Sequence, residues 1–300
     1  MTEVISINDN NYKAMAKAMG ISDSVPSKSE KSSSLARLKI LHAPIMGKEE
    51  VKGKQVNVEL IEGGNYKLEI PDNGNFYSPK IETTLYLQRF MYKKFVMAHG
   101  QEKNRYVKTI MSEFDLGKID LKDNDGGFNC GRPSGFVKDW NALPDSTKQL
   151  IRSCKRVRVV FGVVKMINPV NETGEKVSLE PIPFIWEIDN RDAFDRLGKI
   201  FEAMKSAETL PPYHTVTLNT ESKSIPSGAL YYVPTPVLDL SNRKEIGDEE
   251  NQIFRDFAQW VKNYNEYILN KWDENKSKHE VVDTKVLDDF IEIDSNEVAV

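Results

Sequence analysis

The chain is poor in the residues that build covalent frameworks and metal sites. It has only two cysteines, Cys130 and Cys154, in 300 residues. Two cysteines are too few for a disulfide framework, and these two do not form a Cys-x-x-Cys pair. The four histidines lie far apart, without the spacing of zinc ligands: His42, His99, His214 and His279. The sequence therefore predicts neither a metal nor a cofactor.

Long hydrophobic runs are also missing. The longest apolar run, 157–164, is interrupted by Arg158 and is far shorter than the roughly 20 residues that cross a bilayer. The first residues lack the basic and apolar regions of a secretory signal. We expect a cytoplasmic protein that does not span a membrane.

Recognisable catalytic motifs are absent as well. There is no Gly-x-Ser-x-Gly nucleophile elbow, and Cys154 has no identifiable base. The loop 126–135 has the glycine spacing of a phosphate-binding P-loop, but Arg132 and Pro133 replace its Lys and Ser or Thr. The loop is either a structural turn that needs glycine or a place where Arg132 holds a backbone phosphate. We predict that the protein is not an enzyme.

An acidic cluster at 120–125 precedes this loop. Aligned as a calcium-binding EF-hand loop, it places Leu121 first and Arg132 last, where carboxylates are required. A two-metal nuclease site would need carboxylates from separate strands, with Asp123 and Asp125 as the candidates. The simpler interpretation is a solvated loop.

Charge is distributed unevenly along an otherwise ordinary globular composition. Hydrophobic residues make up 39% of the chain and charged residues 29%, and the net charge is −4. In the segment 280–300, seven acidic residues face one lysine, so this tail carries −6 and the rest of the chain +2. The acidic end is therefore a distinct segment of the chain.

The hydrophobic periodicity predicts an α+β fold, mainly antiparallel. Short β-branched and aromatic runs alternate with Gly and Asn turns, which indicates an OB-like barrel or a curved sheet elaborated with helices. Helices are predicted at 144–154, 190–205 and, most strongly, 248–272. We predict four segments: an N-terminal helix and linker (1–34), a β-rich core (35–245), an amphipathic helix packed on that core (246–279) and a disordered acidic tail (280–300).

Cations and aromatic residues alternate in the segment 76–108. Phosphates attract cations and bases stack on aromatic faces, so this mixture is typical of a groove for a single strand. A second basic run, 155–160, places Arg156 and Arg158 on one face of a strand and Val157 and Val159 on the other. The alternative is that the aromatic residues form the core and the cations extend outward from an ordinary sheet. The predicted nucleic-acid-binding residues are Tyr86, Arg89, Tyr92, Lys93, Lys94, Arg105, Tyr106, Arg132, Arg156 and Arg158.

The acidic tail mixes carboxylates with apolar residues, as docking segments do. We predict that Asp288, Asp289, Phe290 and Ile291 bind a partner and that the tail competes with DNA for the basic groove. A tail that only confers solubility is the alternative.

Three stretches carry a resemblance to a known group of proteins: KDNDGGFNCG (122–131), RVRVVFG (156–162) and PFIWEIDNRD (183–192). With them the chain resembles an uncharacterised family of marine, cyanophage-like tailed bacteriophages. The plan of a β-rich body with an acidic tail is also similar to that of phage single-stranded-DNA-binding proteins. The resemblance implies a phage-encoded protein acting in the host cytoplasm.

These features together favour a single-stranded-DNA-binding protein of phage replication or recombination that binds without sequence preference. Its partners would be single-stranded DNA, phage or host replication proteins bound through the tail, and further copies of the chain in a homo-oligomer. The alternative is a virion structural or assembly protein. A metal-dependent nuclease is the third hypothesis.

Overall fold

The computed structural model describes residues 35–51, 54–97, 103–135 and 137–278. Within these residues the strands are β1 (Ala36–Ile40), β2 (Ile45–Val51), β3 (Lys54–Ile61), β4 (Tyr66–Ile70), β5 (Gly74–Ser78), β6 (Lys80–Val96), β7 (Arg105–Lys108), β8 (Cys154–Ile167), β9 (Ile182–Ile188), β10 (Thr215–Ser224) and β11 (Leu230–Leu238). The α-helices are α1 (Asp145–Ser153), α2 (Arg191–Ser206) and α3 (Asp248–Asn275). Single 3₁₀ turns lie at Asn129–Gly131, Pro211–Tyr213 and Lys276–Lys278.

Nine of these strands form one sheet, in the order β11-β10-β6-β8-β9-β1-β4-β5, with β7 paired to β6. Strands β1 and β9 pair in parallel, whereas the β1–β4, β4–β5, β6–β7, β6–β10, β8–β9 and β10–β11 pairs are antiparallel. The predicted α+β class with a mainly antiparallel sheet is confirmed. The order ends at β11 and β5 within the described residues, so the sheet is not closed into a barrel, which was one of the two predicted forms; an OB fold stays a prediction.

The sheet ends at a strand that is poorly suited to further pairing. Strand β11 contains Pro234 and Pro236, which lie opposite Thr220 and Leu218 of β10. Proline has no N–H to donate to a neighbouring strand, so it is tolerated in edge strands and discourages pairing with another chain. The composition of β11 therefore matches its position at the edge.

The described chain divides into two compact units. Unit 1 consists of the described residues within Met1–Gln88 and Arg158–Trp260, and unit 2 of those within Arg89–Val157 and Val261–Val300. Strands β6 and β8 and helix α3 contribute residues to both units. The predicted segments 1–34 and 280–300 lie outside the described residues, and the predicted boundary between core and C-terminal helix stays a prediction.

Unit 1 buries β8 on both of its faces. Val160 and Val164 belong to a core that also contains Leu197 and Met204 of α2. Residues of the opposite parity point to the other face of a strand, and there Phe161 lies 5.6 Å from Phe257 and 5.4 Å from Trp260, between ring centroids. A strand that is covered on both faces has a continuous apolar sequence. The segment 157–164 has such a sequence, with Arg158 as its one polar residue.

The helix termini follow the sequence signals. Asn190 caps α2, because its side chain accepts a hydrogen bond from the N–H of Ala193 at 3.0 Å. Helix α3 begins with three acidic residues in its first turn, where they interact favourably with the helix dipole. The predicted helix at 248–272 is confirmed, and it extends to Asn275. Among the described residues, no helix combines the length and the apolar character needed to cross a membrane.

Candidate nucleic-acid interface

The positive charge of the protein is concentrated in unit 2. Its described residues include 18 Lys or Arg and 10 Asp or Glu, a net charge of +8. The described residues of unit 1 include 17 Lys or Arg and 23 Asp or Glu, a net charge of −6. Basic residues clustered in one unit attract a polyanion even though the whole chain is acidic.

Strands β6 and β7 bring two lysines and two aromatic residues onto one face of unit 2. In their antiparallel register Lys93 lies opposite Lys108, and Phe95 lies opposite Tyr106. Residues directly opposite share a face, as do residues two apart in a strand. We call these four residues the aromatic–lysine surface.

Both rings of this surface are accessible. Phe95 is 44% exposed and Tyr106 is 51% exposed. Their centroids lie 5.1 Å apart at an interplanar angle of 56°, and Nζ of Lys93 lies 4.8 Å from the centroid of Tyr106. Sequence analysis predicted Lys93 and Tyr106 but did not select Phe95 or Lys108, although both lie in the segment of alternating cations and aromatics.

Arg105 and Lys94 point to the opposite face of the same two strands. Arg105 binds Asp125 in a bidentate ion pair, with N–O distances of 2.6 and 3.2 Å. Lys94 lies opposite Val107, which is buried. These two predicted cations are therefore near the aromatic–lysine surface in the chain but do not share its face.

Tyr86 and Tyr92 were predicted to stack on bases, but the structure buries both rings. Tyr86 is 6% exposed and packs edge-on against Phe257, at 5.7 Å between ring centroids; burial raises its pKa to about 12. Tyr92 is 3% exposed, and burial raises its pKa as well. A base cannot stack on a ring that is already covered, so both residues contribute to packing.

Arg158 was predicted to contact phosphates, but its side chain lies in the interior of unit 1. It is 7% exposed. Its Nε donates to the carbonyl of Phe194 at 3.1 Å, and its Nη1 donates to Oε1 of Gln88. The guanidinium carbon lies 4.4 Å from the centroid of the Phe194 ring. The predicted pairing of Arg156 and Arg158 on one exposed face is therefore wrong, since only Arg156 is exposed.

Arg89 has a similar structural role in unit 2. Its Nη2 lies 2.8 Å from Oε1 of Glu113, and its side chain is only 16% exposed. Burial lowers the pKa of Arg89, while Glu113 acts in the opposite direction. This predicted phosphate contact is largely engaged within the protein.

The glycine-rich loop is organised by the buried carboxylate of Asp123. Oδ1 of Asp123 accepts hydrogen bonds from the N–H groups of Asp125 and Gly127, and Oδ2 accepts one from Cys130, each at 3.0 Å. Burial raises the pKa of Asp123, and these three donors act against that rise. The loop is thus a turn folded around its own acidic residue, and its N–H groups are used internally.

A second cluster of aromatics and cations, which sequence analysis did not find, surrounds Trp272. Its Nε1 donates to the carbonyl of Gly127 at 3.0 Å, and Phe128 lies 5.7 Å away between ring centroids. Nζ of Lys122 lies 3.9 Å from the Trp272 ring, and that of Lys276 lies 5.4 Å from it. The available signal was the i, i+4 spacing of Trp272, near the end of α3, and Lys276, in the 3₁₀ turn that follows it.

The two cysteines form a buried pair in unit 2. Sγ of Cys154 lies 3.3 Å from the carbonyl oxygen of Asn129, and Sγ of Cys130 lies 3.4 Å from that of Val107. A hydrogen bond from Cys130 lowers the pKa of Cys154, and Arg132 and Lys94 add to this effect. The same bond and burial raise the pKa of Cys130.

This asymmetry predicts the order in which the thiols react. The thiolate is the nucleophile, and a lowered pKa gives Cys154 the larger thiolate fraction at neutral pH. Both thiols are buried, so labelling of the folded protein with iodoacetamide should be slow; we expect it to reach Cys154 before Cys130, and the rate at Cys154 to begin its increase with pH at a lower pH than the rate at Cys130. Peptide mass spectrometry measures both sites. Protein unfolded in guanidinium is the control, and a preference that persists there would contradict the structural explanation.

Two predicted cations border a small depression in unit 2. Arg132 donates from Nη1 to the carbonyl of Ile151 at 3.3 Å, and Arg156 is exposed on β8. Both line the same depression. The predicted partner-binding residues Asp288, Asp289, Phe290 and Ile291 lie outside the described residues.

Neither catalytic nor comparative evidence assigns a function to these residues. Among residues 35–51, 54–97, 103–135 and 137–278, no three His, Cys, Asp or Glu side chains are grouped to hold a metal ion. Comparison of the chain with models of protein families, with curated proteins and with solved structures finds no match. The function must therefore be inferred from the geometry of the chain itself.

Proposed function

We propose that this protein binds single-stranded DNA without sequence preference, through the aromatic–lysine surface. The observation that supports the proposal is the pair of exposed rings of Phe95 and Tyr106, which lies next to the pair of Lys93 and Lys108 on one sheet face. Large exposed aromatic residues carry a hydrophobic cost in water, so two of them in contact favour a binding role.

The geometry suits a single strand better than a duplex. Stacking on an aromatic side chain contributes roughly 1–3 kcal/mol per base and works for every base, because each base has a π-face. In a duplex these faces are occupied by neighbouring base pairs. Lys93 and Lys108 add cations that attract the phosphates without reading sequence.

The residues of the proposed site differ from the predicted set. Lys93, Phe95, Tyr106 and Lys108 form its centre. Tyr86, Tyr92 and Arg158 are buried, and Arg89 and Arg105 are paired with carboxylates. The centre of the proposed site therefore contains lysines and aromatic rings, whereas the predicted set contained several arginines.

The wider biological role of the protein is proposed from the sequence resemblance alone. It is non-enzymatic binding in phage replication or recombination, in the host cytoplasm, with the tail at 280–300 docking replication proteins. The proposal does not require an OB fold, since the stacking surface lies on the β6–β7 ladder of an open sheet.

The test is fluorescence anisotropy with labelled oligo-dT and a duplex control, using the full chain at low and high salt. We expect the single strand to bind more tightly than the duplex, with log K falling linearly against the logarithm of salt concentration. Equal affinity for both, or no binding at low salt, would contradict the proposal.

One observation favours the alternative of a virion assembly protein. The separate hairpin of β2 and β3 exposes three apolar side chains, Met46, Val56 and Leu60. Exposed apolar residues on a two-stranded hairpin can make subunit contacts. Sedimentation velocity distinguishes the roles, because assembly predicts oligomers that grow with protein concentration and shrink after Val56→Lys.

A further inference from the structure

A second feature of unit 2, separate from the aromatic–lysine surface, has the properties of an anion pocket. A depression of about 140 Å³ is lined by Arg132, Arg156, Tyr92 and Trp140, with apolar and glycine residues completing its wall. The lining contains two guanidinium groups and no carboxylate. A concave site lined only by positive charges attracts and concentrates anions.

The position of Arg132 is fixed by the fold. Its Nη1 donates to the carbonyl of Ile151 at 3.3 Å, and its guanidinium carbon lies 5.8 Å from the ring centroid of Tyr92. A guanidinium has five N–H donors in a planar fork, so one bond to a carbonyl orients the group and leaves it able to bind oxygen atoms in pairs. A preorganised arginine loses little side-chain entropy on binding.

Arg132, Arg156 and Tyr92 line the same depression. Arg132 and Arg156 each favour the ionised form of the Tyr92 hydroxyl and so act against the rise in pKa that burial causes. Because the depression has a volume of only about 140 Å³, a small anion bound in it would be near both guanidiniums. Trp140 lies beside them, with the guanidinium carbon of Arg152 5.3 Å from its ring centroid.

The size of the depression restricts its ligand. Pockets for whole cofactors or drug-sized molecules occupy roughly 300–1,000 Å³, and 140 Å³ is well below that. The site therefore takes one chemical group. Of the groups that a nucleic acid offers, the phosphate is the one that guanidiniums bind in a bidentate manner.

The charge and the concave form favour a terminal phosphate over an internal one. A phosphomonoester carries about −1.5 to −2 at pH 7, which matches two guanidiniums, whereas an internal phosphodiester carries one negative charge. An internal phosphate also continues into the chain on two sides, but a terminal phosphate enters a depression end-on.

We infer that the depression formed by Arg132, Arg156 and Trp140 binds the terminal phosphomonoester of a nucleic-acid strand. The inference rests on the proposed function in one respect, namely that the phosphate belongs to a single strand. The depression adds recognition of a strand end to the aromatic–lysine surface, which binds any part of the strand. Trp140 also lines the depression and so offers an aromatic ring next to the phosphate.

The first experiment measures the affinity of the full-length protein for three oligo-dT strands of equal length, labelled at the opposite end. One carries a 5′-phosphate, one a 3′-phosphate and one no terminal phosphate. Since hydrogen bonds between charged groups contribute about 1.5–3 kcal/mol, we expect one phosphorylated strand to bind about 10- to 100-fold more tightly than the unphosphorylated strand. The two phosphorylated strands identify which end is recognised.

Matched variants locate the effect. Arg132→Gln and Arg156→Gln should each abolish the preference, whereas Lys155→Gln removes the same charge next to Arg156 in β8, from a residue that does not line the depression, and should retain it. The preference should also weaken as the pH falls below about 6, where the phosphomonoester gains a proton. Equal affinities for all three strands, with binding intact, would overturn the inference and leave the proposed function standing.

A second measurement separates the pocket from the strand-binding surface. Thymidine monophosphate, with thymidine as its control, is titrated while tryptophan fluorescence is recorded, and Trp140→Phe identifies the contribution of Trp140 among the four tryptophans. If no strand binds but the monophosphate changes the Trp140 signal, and Arg132→Gln abolishes the change, the pocket is supported and the proposed function fails. No response to the monophosphate at any concentration would overturn the pocket.

Discussion

Removal of both exposed rings, by Phe95→Ala together with Tyr106→Ala, is expected to weaken the binding of oligo-dT by about 30-fold or more. Each ring offers one face for a base, and stacking contributes roughly 1–3 kcal/mol per base. The loss should be similar for other unstructured single strands, because stacking does not depend on base identity. Fluorescence anisotropy at constant salt measures the effect.

Two controls make this result specific. Phe95→Tyr with Tyr106→Phe keeps both rings and should keep the affinity. Phe254→Ala removes a ring that is 45% exposed in unit 1 and should leave binding unchanged. The Phe95–Tyr106 contact itself contributes about 0.5–1.5 kcal/mol to folding, so thermal unfolding must show that the double variant remains folded. A folded double variant that binds with unchanged affinity would refute the role of this surface.

Gly126→Ala is expected to destabilise the protein by about 2–5 kcal/mol. Gly126 has φ of +94°, a region where a side chain costs about 1–2 kcal/mol. A Cβ at this position would also lie 2.5 Å from the carbonyl carbon and oxygen of Asn275. Because these atoms are backbone, the end of α3 or the loop would have to shift, which adds the cost of overpacking, about 1–3 kcal/mol. Urea denaturation measures the change.

Gly74→Ala provides the matched control for this variant. Gly74 has nearly the same backbone conformation, with φ of +92°, but a Cβ there would meet nothing within 4 Å. We expect it to show the conformational cost alone, about 1–2 kcal/mol. If the two variants were equally stable, the close approach of the loop to Asn275 would not be a constraint on folding.

The sequence predicted best those elements that depend on local periodicity. The stripe of Leu197, Phe201 and Met204 and the cap at Asn190 identify α2, and both features recur in the structure. Helix α3 is long enough for its pattern to be unambiguous. These signals depend on neighbours within a few residues in the chain, so one sequence contains them in full.

The exposure of individual side chains in the sheet was not predictable in the same way. Alternation shows which residues share a face of a strand but not whether a helix covers that face. Arg158 was therefore assigned to the solvent, although α2 covers it, and Tyr92 was assigned to stacking although it is buried. Tyr92 lies on the face of β6 opposite to Phe95, and there it is covered, whereas Phe95 and Tyr106 are exposed.

The glycine-rich loop illustrates a second limit. Its similarity to a P-loop directed attention to bound phosphate, but the three N–H groups that accompany its glycines bind Asp123. The departures at Arg132 and Pro133 were readable from the sequence, whereas the internal acceptor was not. The side chain of Arg132 within the loop, rather than the backbone of the loop, remains able to bind an anion.

The buried guanidinium of Arg158 links two positions that are distant in the chain. A Cβ on Gly198 would lie 2.6 Å from Nη2 of Arg158, so any side chain at 198 would displace the guanidinium from its hydrogen bonds to Phe194 and Gln88. A side chain at 198 is therefore accommodated best after the residue at 158 has become shorter. In a set of related chains, the two sites should vary together: an alanine or serine at 198 should accompany a shorter residue at 158, and the order of replacement should be constrained.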